Sequence, residues 1–345
     1  SNGKLRPLGI ACYEDKIVQS ALKKILEAIY EPRFLNCMYG FRPNRGCHDA
    51  IKELYKRLNN TKICYIVDAD IKGFFDHMKH EWIIKFLNLY IKDPNIIGLV
   101  KKYLKVGVLD GGKQMMNEEG SAQGNIISPI LANIYMHNVL TLWYKFIITK
   151  ECKGDNFLIV YADDFVAGFQ YKWEAENYYK LLKERMEKFG LQLEESKSRL
   201  LQSGAYIARA KQKSGESTRL ETFDFLGFTF YCGRSRKGMP YIMPKTSSKK
   251  FRQKIRDIKV WLYANRDQSL KKLMGMLNLK LVGHYRYYGI SFNGRMISNY
   301  KQQVRELLFK VLNRRSDRKS YTREGFIEML KYYPLALPKI YVSLF

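Results

Sequence analysis

The chain has 345 residues, of which 60 are Lys or Arg and 33 are Asp or Glu, for a formal net charge of +27. Hydrophobic residues make up 46% and aromatic residues 14%, enough to bury a sizeable core in two domains or one large one, so disorder throughout is excluded. A surplus of this size repels itself unless a polyanion neutralises it, which puts nucleic acid first among the expected partners and an anionic membrane surface well behind.

In chain order, Ile17, Ala21, Leu22, Ile25, Leu26 and Ile29 recur at helical spacing until Pro32. Tyr39-Gly-Phe-Arg-Pro-Asn-Arg-Gly46 reads as a loop by its Gly and Pro content, and Ile51, Leu54, Tyr55 and Leu58 mark a second helix. Ile63-Cys-Tyr-Ile-Val67 has the length and composition of a buried strand and runs into Asp68 and Asp70; a helix is expected from about Lys79 to Tyr90. Asp110-Gly-Gly-Lys113 lacks P-loop spacing and reads as a hairpin turn. Phe157–Tyr161 and Phe165–Phe169 are two apolar runs joined by Ala162-Asp-Asp164, the spacing of a tight hairpin. An amphipathic helix is expected over 174–189, and Phe223–Tyr231 reads as one aromatic-rich strand. After Pro244 the texture changes to basic helical patterns at about 249–264, 268–288 and 296–313. Residues 245–345 hold 23 Lys and Arg against 6 Asp and Glu, a net of +17. The domain boundary is therefore expected near 240–245, at Lys237-Gly-Met-Pro-Tyr, giving domains 1–244 and 245–345.

The six cysteines form no C-x-x-C pair and have no histidine at ligand spacing, which favours free thiols in a reducing, cytoplasmic setting and argues against zinc. The apolar stretch Ile126–Ile148 is broken by Pro129, Asn133, His137, Asn138 and Lys145, so no membrane span is expected. The chain opens on Ser1-Asn-Gly-Lys-Leu-Arg without an initiator Met, as a fragment would.

Three acids stand at strand ends: Asp70 and the pair Asp163-Asp164. One Asp-Asp pair in a turn is ordinary turn chemistry. If Ile63–Val67 and Phe157–Tyr161 are neighbours in a sheet, Asp70 comes close to the hairpin tip. Clustered carboxylates then repel one another unless cations neutralise them. Such hard oxygen ligands suit Mg²⁺ completed by water and phosphate oxygens, and two such ions are a standard means of in-line phosphoryl displacement.

At this point the residues resemble a known family. Tyr161-Ala-Asp-Asp164 resembles the Y-x-D-D box of reverse transcriptases, and Asp70-Ile-Lys-Gly-Phe-Phe-Asp76 their first catalytic motif. Ser121-Ala-Gln-Gly-Asn-Ile-Ile-Ser-Pro-Ile-Leu-Ala-Asn-Ile-Tyr135 is similar to the Q-G-x-x-x-S-P-x-L-A-N-I-Y stretch of group II intron reverse transcriptases, the maturases. Tyr39-Gly-Phe-Arg-Pro-Asn-Arg-Gly-Cys-His48 is a signature of the same branch. The resemblance spans nearly the whole chain; each box alone is weak, but four in order at plausible separations are specific. The resemblance implies an α+β fold: a right-hand polymerase palm, an antiparallel sheet flanked by helices, with partial fingers and an α-helical thumb from about 245.

The implied activity is RNA-directed DNA synthesis, with an RNA template, a DNA or RNA primer, dNTP and two Mg²⁺ ions for which Mn²⁺ can substitute. Structured intron RNA is a further implied partner, the setting a bacterial cytoplasm, and neither membrane nor zinc is called for. Asp70, Asp163 and Asp164 would be catalytic and hold the metals with the Ile71 carbonyl. Phe75 would abut the incoming sugar, with Phe74 as the alternative register and core packing as the reading for the other. Gln123 and Gly124 would approach the nucleotide, and Arg6 would hold its triphosphate through the paired N–H geometry of a guanidinium. The lysine that partners this arginine in the family would precede Ser1. Lys197 is the family's lysine near the pyrophosphate or else a surface lysine. Arg42 and Arg45 would hold template phosphates or staple the fingers, and Phe225, Leu226 and Gly227 resemble the primer grip. Lys249, Lys250, Arg252, Arg314, Arg315, Arg318 and Lys319 would face the nucleic-acid backbone, contacts that position without reading sequence.

The chain departs from the family at Ser121-Ala122, where Thr-Pro is common, and at Asn125, where a second Gly is common. The upstream fingers segment is not in the sequence, and its five histidines form no H-N-H nuclease pattern. Two rival roles remain at this point: a host-adapted reverse transcriptase (retron, CRISPR-associated or phage defence), and a non-catalytic RNA-binding splicing cofactor.

Overall fold

The computed structural model describes residues 12–105, 108–110, 113–115, 120, 125–315 and 320–345. These fall into two compact units, Ser1–Glu221 and Thr222–Phe345.

The first unit runs α1 (Tyr13–Tyr30), α2 (Cys47–Asn60), β1 (Tyr65–Ala69), α3 (Phe74–His77), α4 (His80–Leu87), α5 (Pro94–Lys105), β2 (Val108–Asp110) and β3 (Lys113–Met115). It continues with α6 (Ser128–Met136), two π-helical turns (His137–Thr141 and Tyr144–Ile148), α7 (Thr149–Glu151), β4 (Asn156–Tyr161), β5 (Asp164–Phe169), α8 (Lys172–Lys188), β6 (Arg199–Gln202) and α9 (Ala205–Lys213). A four-stranded antiparallel sheet of order β4-β5-β1-β6 carries the unit. The expected pairing of 63–67 with 157–161 is corrected here: β1 pairs with β5, which stands between them, and with β6. The reason is burial, since every β5 residue after Asp164 is buried, as suits an interior strand.

Alternation along the strands builds two cores. Val67, Ala69, Leu158, Val160, Phe165, Ala167 and Phe169 join a large cluster with α1, α4, α6 and α8, in which Tyr135, Tyr178 and Phe189 are buried. Ile66, Ile159, Val166 and Leu201 are equally buried on the opposite face, where α2 packs on β4 and α9 on α2. Covered on both faces, the strands read as continuous apolar runs. In α1 the apolar spacing is only half used: Leu22 and Leu26 are buried, whereas Ile17, Ala21 and Ile25 are exposed. The turn expected at 110–113 is matched by β2 and β3, in which Asp110 is the register partner of Lys113. Among the described residues no helix is long and apolar enough to cross a membrane.

The second unit is a three-stranded meander, β7 (Phe223–Phe225), β8 (Phe228–Arg234) and β9 (Pro240–Thr246), followed by α10 (Ser248–Ala264), α11 (Leu270–Tyr288), α12 (Gly294–Leu312) and α13 (Arg323–Tyr332). The three basic helices lie where the sequence places them. Phe223–Tyr231 is not one strand: Leu226 (φ 48°) and Gly227 (φ 81°) turn it back on itself, and Phe225 pairs with Phe228. Lys237-Gly-Met-Pro-Tyr is not a linker but the turn between β8 and β9, closed by Ser235 N–H donating to the Met239 carbonyl.

The compact units therefore part at Glu221–Thr222, ahead of the composition shift at 240–245. The meander is tied to the helices behind it. Buried Asn293 donates to the Thr246 hydroxyl (2.8 Å) and the Tyr288 carbonyl (2.7 Å) and accepts from Thr246 N–H (2.8 Å). The Tyr287 hydroxyl donates to the Leu226 carbonyl (2.8 Å).

Candidate active site

Register places the acids. Ala69, the last residue of β1, is opposite Phe165, so Asp70 follows at the strand end beside Asp164, the first residue of β5. Tyr161 pairs with Asp164 across the two-residue turn Ala162-Asp163, in which Ala162 takes a left-handed φ of 58° that residues with a side chain rarely adopt. Asp70 and Asp164 thus end adjacent strands, with Asp163 at the tip between β4 and β5.

The turn rests on two other motif segments. Gly40 lies so close beneath it that a Cβ there would meet Ala162 N at 2.5 Å and Tyr161 C at 3.0 Å. Tyr39 N–H donates to the Val160 carbonyl and Val160 N–H to the Cys37 carbonyl, both at 2.8 Å, and the buried Asn133 amide donates to the Gly40 carbonyl at 2.8 Å. The loop at 39–46, helix α6 and the acidic turn are therefore one assembly. Gly40 and Asn133 are the residues a sequence reading misses: both lie inside quoted motifs, but spacing alone gives them no role.

On the other side of β1, the chain entering β6 is stitched to Asp70. Glu194 N–H donates to the Asp70 carbonyl (2.8 Å), Asp70 N–H to the Ser198 hydroxyl (3.3 Å), and buried Ile71 bridges to Leu193. Lys197 Nζ donates to Asp70 Oδ2 at 2.5 Å. That hydrogen bond, with the charges of Asp70, Glu194 and Asp164, holds the lysine pKa above its ordinary value. Among the described residues, no three of His, Cys, Asp and Glu converge closely enough to form a complete metal-ligand set.

Phe74 is buried in the core, edge-on to Tyr135 at 6.2 Å, so the alternative register for a sugar contact is filled by packing. Phe75 is only partly buried at the margin of that cluster. Gly120 seats on the same segment, its N–H donating to the Met78 carbonyl (2.8 Å) while the His80 ring donates to the Gly120 carbonyl (2.6 Å). A Cβ on Gly120, whose φ is 80°, would meet the carbonyl oxygens of Phe75 and Asp76 at 2.7 Å. Gln123, Gly124 and Arg6 lie outside the described residues, as do Arg318 and Lys319.

Arg42 is the staple rather than a template contact. It is buried, bonds Glu31 through Nε (2.9 Å) and Nη2 (2.7 Å), and bonds the Leu35 and Met38 carbonyls through Nη1 (2.8 and 3.0 Å). Every guanidinium nitrogen is engaged within the fold. Arg45 bonds Asn36 twice and lines a cleft of about 700 Å³ along β4 with Arg33, Arg57 and Lys145.

In the second unit Phe225 is buried, which leaves the Leu226-Gly227 turn as the accessible part of that motif. The turn is held by Ser247 N–H donating to the Gly227 carbonyl (3.0 Å), and the Ser247 hydroxyl in turn caps α10. Lys249, Lys250 and Arg252 are exposed on the first turns of α10. With Phe251, Ile255, Arg256 and Gln303, Lys249 and Arg252 line a cleft of about 490 Å³ with no acid in its lining among the described residues. Arg314 is exposed and donates to the Tyr263 hydroxyl (2.6 Å), while Arg315 buries Nε and Nη2 without a hydrogen-bond partner among the described residues.

Comparison with known proteins bears on both units. The family model described as reverse transcriptase (RNA-dependent DNA polymerase) matches residues 1–230, and that of the group II intron maturase-specific domain matches 248–327. The chain is 41% identical to the group II intron-encoded protein LtrA of Lactococcus lactis subsp. cremoris over 152 residues, 44% of this chain and 24% of LtrA. It is 38% identical to protein YkfC of Escherichia coli (strain K12) over 140 residues, 40% of this chain and 37% of YkfC. The matched part thus spans about a quarter of LtrA and just over a third of YkfC. Apo telomerase from Candida tropicalis superposes with a TM-score of 0.47 at 14% identity, over 91% of this chain and 56% of that one.

Proposed function

The chain belongs to the reverse transcriptase (RNA-dependent DNA polymerase) family and carries a group II intron maturase-specific domain, and we propose that it copies an RNA template into DNA. The observation that carries this reading is the placement of Asp70, next after β1, beside Asp164, the first residue of the adjacent strand β5, in a chain of net charge +27. A protein that only held RNA would gain nothing from carboxylates set side by side toward a polyanion.

In the proposed reaction a primer 3′-hydroxyl attacks the α-phosphate of a dNTP. The hydroxyl gives up its proton to solvent, the O3′–Pα bond forms, the bond from Pα to the bridging oxygen breaks, and pyrophosphate leaves. Asp70, Asp163 and Asp164 are hard oxygen donors suited to Mg²⁺ or Mn²⁺, and the Asp70 carboxylate already takes a cation, the Lys197 ammonium 2.5 Å from Oδ2. Two bound ions would activate the attacking oxygen and stabilise the leaving group. The fold itself supplies position: Gly40 and Asn133 fix the turn beneath Asp163, and the 193–198 segment fixes Asp70.

We assign partial fingers and palm to residues 1–244 and a thumb to 245–345, whose exposed cations would track a duplex backbone, a functional division that falls inside the second compact unit, between the meander and its helices. The maturase-domain match supports structured intron RNA as a second partner. Six cysteines free of disulfides suit the proposed bacterial cytoplasm.

The test is primer extension on an RNA template with dNTP, comparing the chain with its Asp163→Asn variant. Mg²⁺-dependent synthesis should disappear while binding of the primer–template duplex stays nearly intact. Synthesis by the variant at the parent rate would overturn the assignment.

A further inference from the structure

Asp70 has a second neighbour besides Asp164. The β1–β6 register ends with Asp68 opposite Arg199, and pairing resumes only where Ile71 bridges to Leu193. Lys197 lies in the turn between, and from there its Nζ donates to Asp70 Oδ2 at 2.5 Å. The contact is not an accident of a long side chain. Glu194 and Ser198, on either side of the lysine, are fastened to Asp70, and Leu193 to Ile71, so the ammonium is delivered to the carboxylate from a fixed root. At the last register pair, Arg199 Nε stands 3.7 Å from Asp68 Oδ2, a neighbouring contact of base with acid.

The fold does not need the Lys197 pair. Its side chain is 61% exposed, and exposed ion pairs contribute little to stability. What the pair does is neutralise one carboxylate of a set whose charges otherwise repel. We propose that the Lys197 ammonium is a built-in placeholder: it and a divalent cation are alternative occupants of the Asp70 carboxylate, so that the chain without nucleotide holds its cation weakly. This rests on the two-metal reading above and adds to it a specific internal competitor. The consequence is order. The charge of Asp70 stays neutralised in the resting chain, and a cation gains its full hold on Asp70 only when the lysine has moved to another anion.

The readout is metal binding, not synthesis. Mn²⁺ is titrated into the full chain without nucleotide and the free ion followed by its electron paramagnetic resonance signal. Lys197→Met should tighten Mn²⁺ binding by about tenfold, as expected for loss of a direct competitor in a partly exposed site. Arg199→Met removes the same charge from the neighbouring pair and should change affinity by less than about twofold; Lys197→Arg should stay near the parent. Equal tightening by Lys197→Met and Arg199→Met would mean general electrostatics and overturn the placeholder. So would unchanged affinity in Lys197→Met. Asp70→Asn separates the two levels: if it abolishes the site while Lys197→Met has no effect, the metal reading stands and the placeholder falls. If Asp70→Asn leaves Mn²⁺ binding intact, both fall.

Discussion

Gly40 is packed against the backbone of Ala162, with room for a hydrogen but not for a methyl group: a Cβ at Gly40 would stand 2.5 Å from Ala162 N. The neighbour is main chain in a left-handed turn, not the end of a flexible side chain, so the turn itself has to yield. Gly40→Ala should therefore shift Asp163 and Asp164 while leaving the hydrophobic core in place. Overpacking of this kind costs about 1–3 kcal/mol, and a displacement of about 1 Å at reacting groups lowers rates on the order of 100-fold. Primer extension at saturating dNTP, set beside a thermal melt, checks both numbers. Parent-level synthesis by this variant would show that the turn tolerates the shift.

Arg42 gives a prediction that separates a staple from a phosphate contact. Its guanidinium is buried and shared among Glu31 and two carbonyls, and Glu31 is itself partly exposed. Removing one partner of such a pair leaves the other unmatched, a loss of about 2–3 kcal/mol when solvent reaches one side. Arg42→Ala should lower the urea midpoint accordingly, yet leave unchanged the slope of log affinity for an RNA–DNA duplex against log salt. A shallower slope with normal stability would restore Arg42 to the template.

The opposite pattern is expected on α10. Lys249, Arg252 and Arg256 line a cleft without acids among the described residues and are exposed, so their replacement removes little packing. Each change to Ala should weaken duplex binding and reduce the salt slope by about 0.7–0.9, the value for one neutralised phosphate, with stability within about 0.5 kcal/mol of the parent. Filter binding at four salt concentrations measures the slope. Three variants with the parent slope would remove this cleft from the nucleic-acid path.

Much of this arrangement is legible in the residues themselves. The strand runs around Ile66, Ile159 and Val166 are apolar on both faces because helices cover both faces, and that pattern needs no tertiary knowledge. Asp70 and the Asp163-Asp164 pair are legible because an acid at the end of such a run is conspicuous. Strand order is not: β1, β4 and β5 are equally apolar, and nothing local says which of them is central. The Leu226-Gly227 turn hides because Leu at positive φ carries no local signal, and the aromatic run on either side reads straight through it. Arg42 and Arg45 look alike in sequence, two arginines in one Gly/Pro loop. Only Glu31, eleven residues upstream, decides that Arg42 is inward, and such a pairing is tertiary.

Acid sensitivity should come from two buried imidazoles. His284 is stacked on Tyr300 at a centroid distance of 3.6 Å, tilted against Tyr288 at 4.7 Å, and neither ring nitrogen has a hydrogen-bond partner among the described residues. Burial pulls its pKa down to about 3, and the Lys254 charge adds a smaller push in the same direction. His137, in the other unit, is held down to about 4 by burial first and by Arg42 second. Both are neutral when folded near neutral pH, whereas in the unfolded chain they protonate around pH 6.5. Between about 6.5 and 4 the unfolded chain therefore binds more protons, so stability is fully present above 6.5 and falls as pH falls. The slope is at most about 1.4 kcal/mol per pH unit for each histidine, levelling off below the folded values. Urea midpoints of the full chain at pH 7.5, 6.0 and 5.0 should decline, and His284→Phe, which keeps an aromatic ring on Tyr300, should flatten the decline of the second unit. An unaltered pH profile in that variant would mean that His284 does not carry the acid sensitivity.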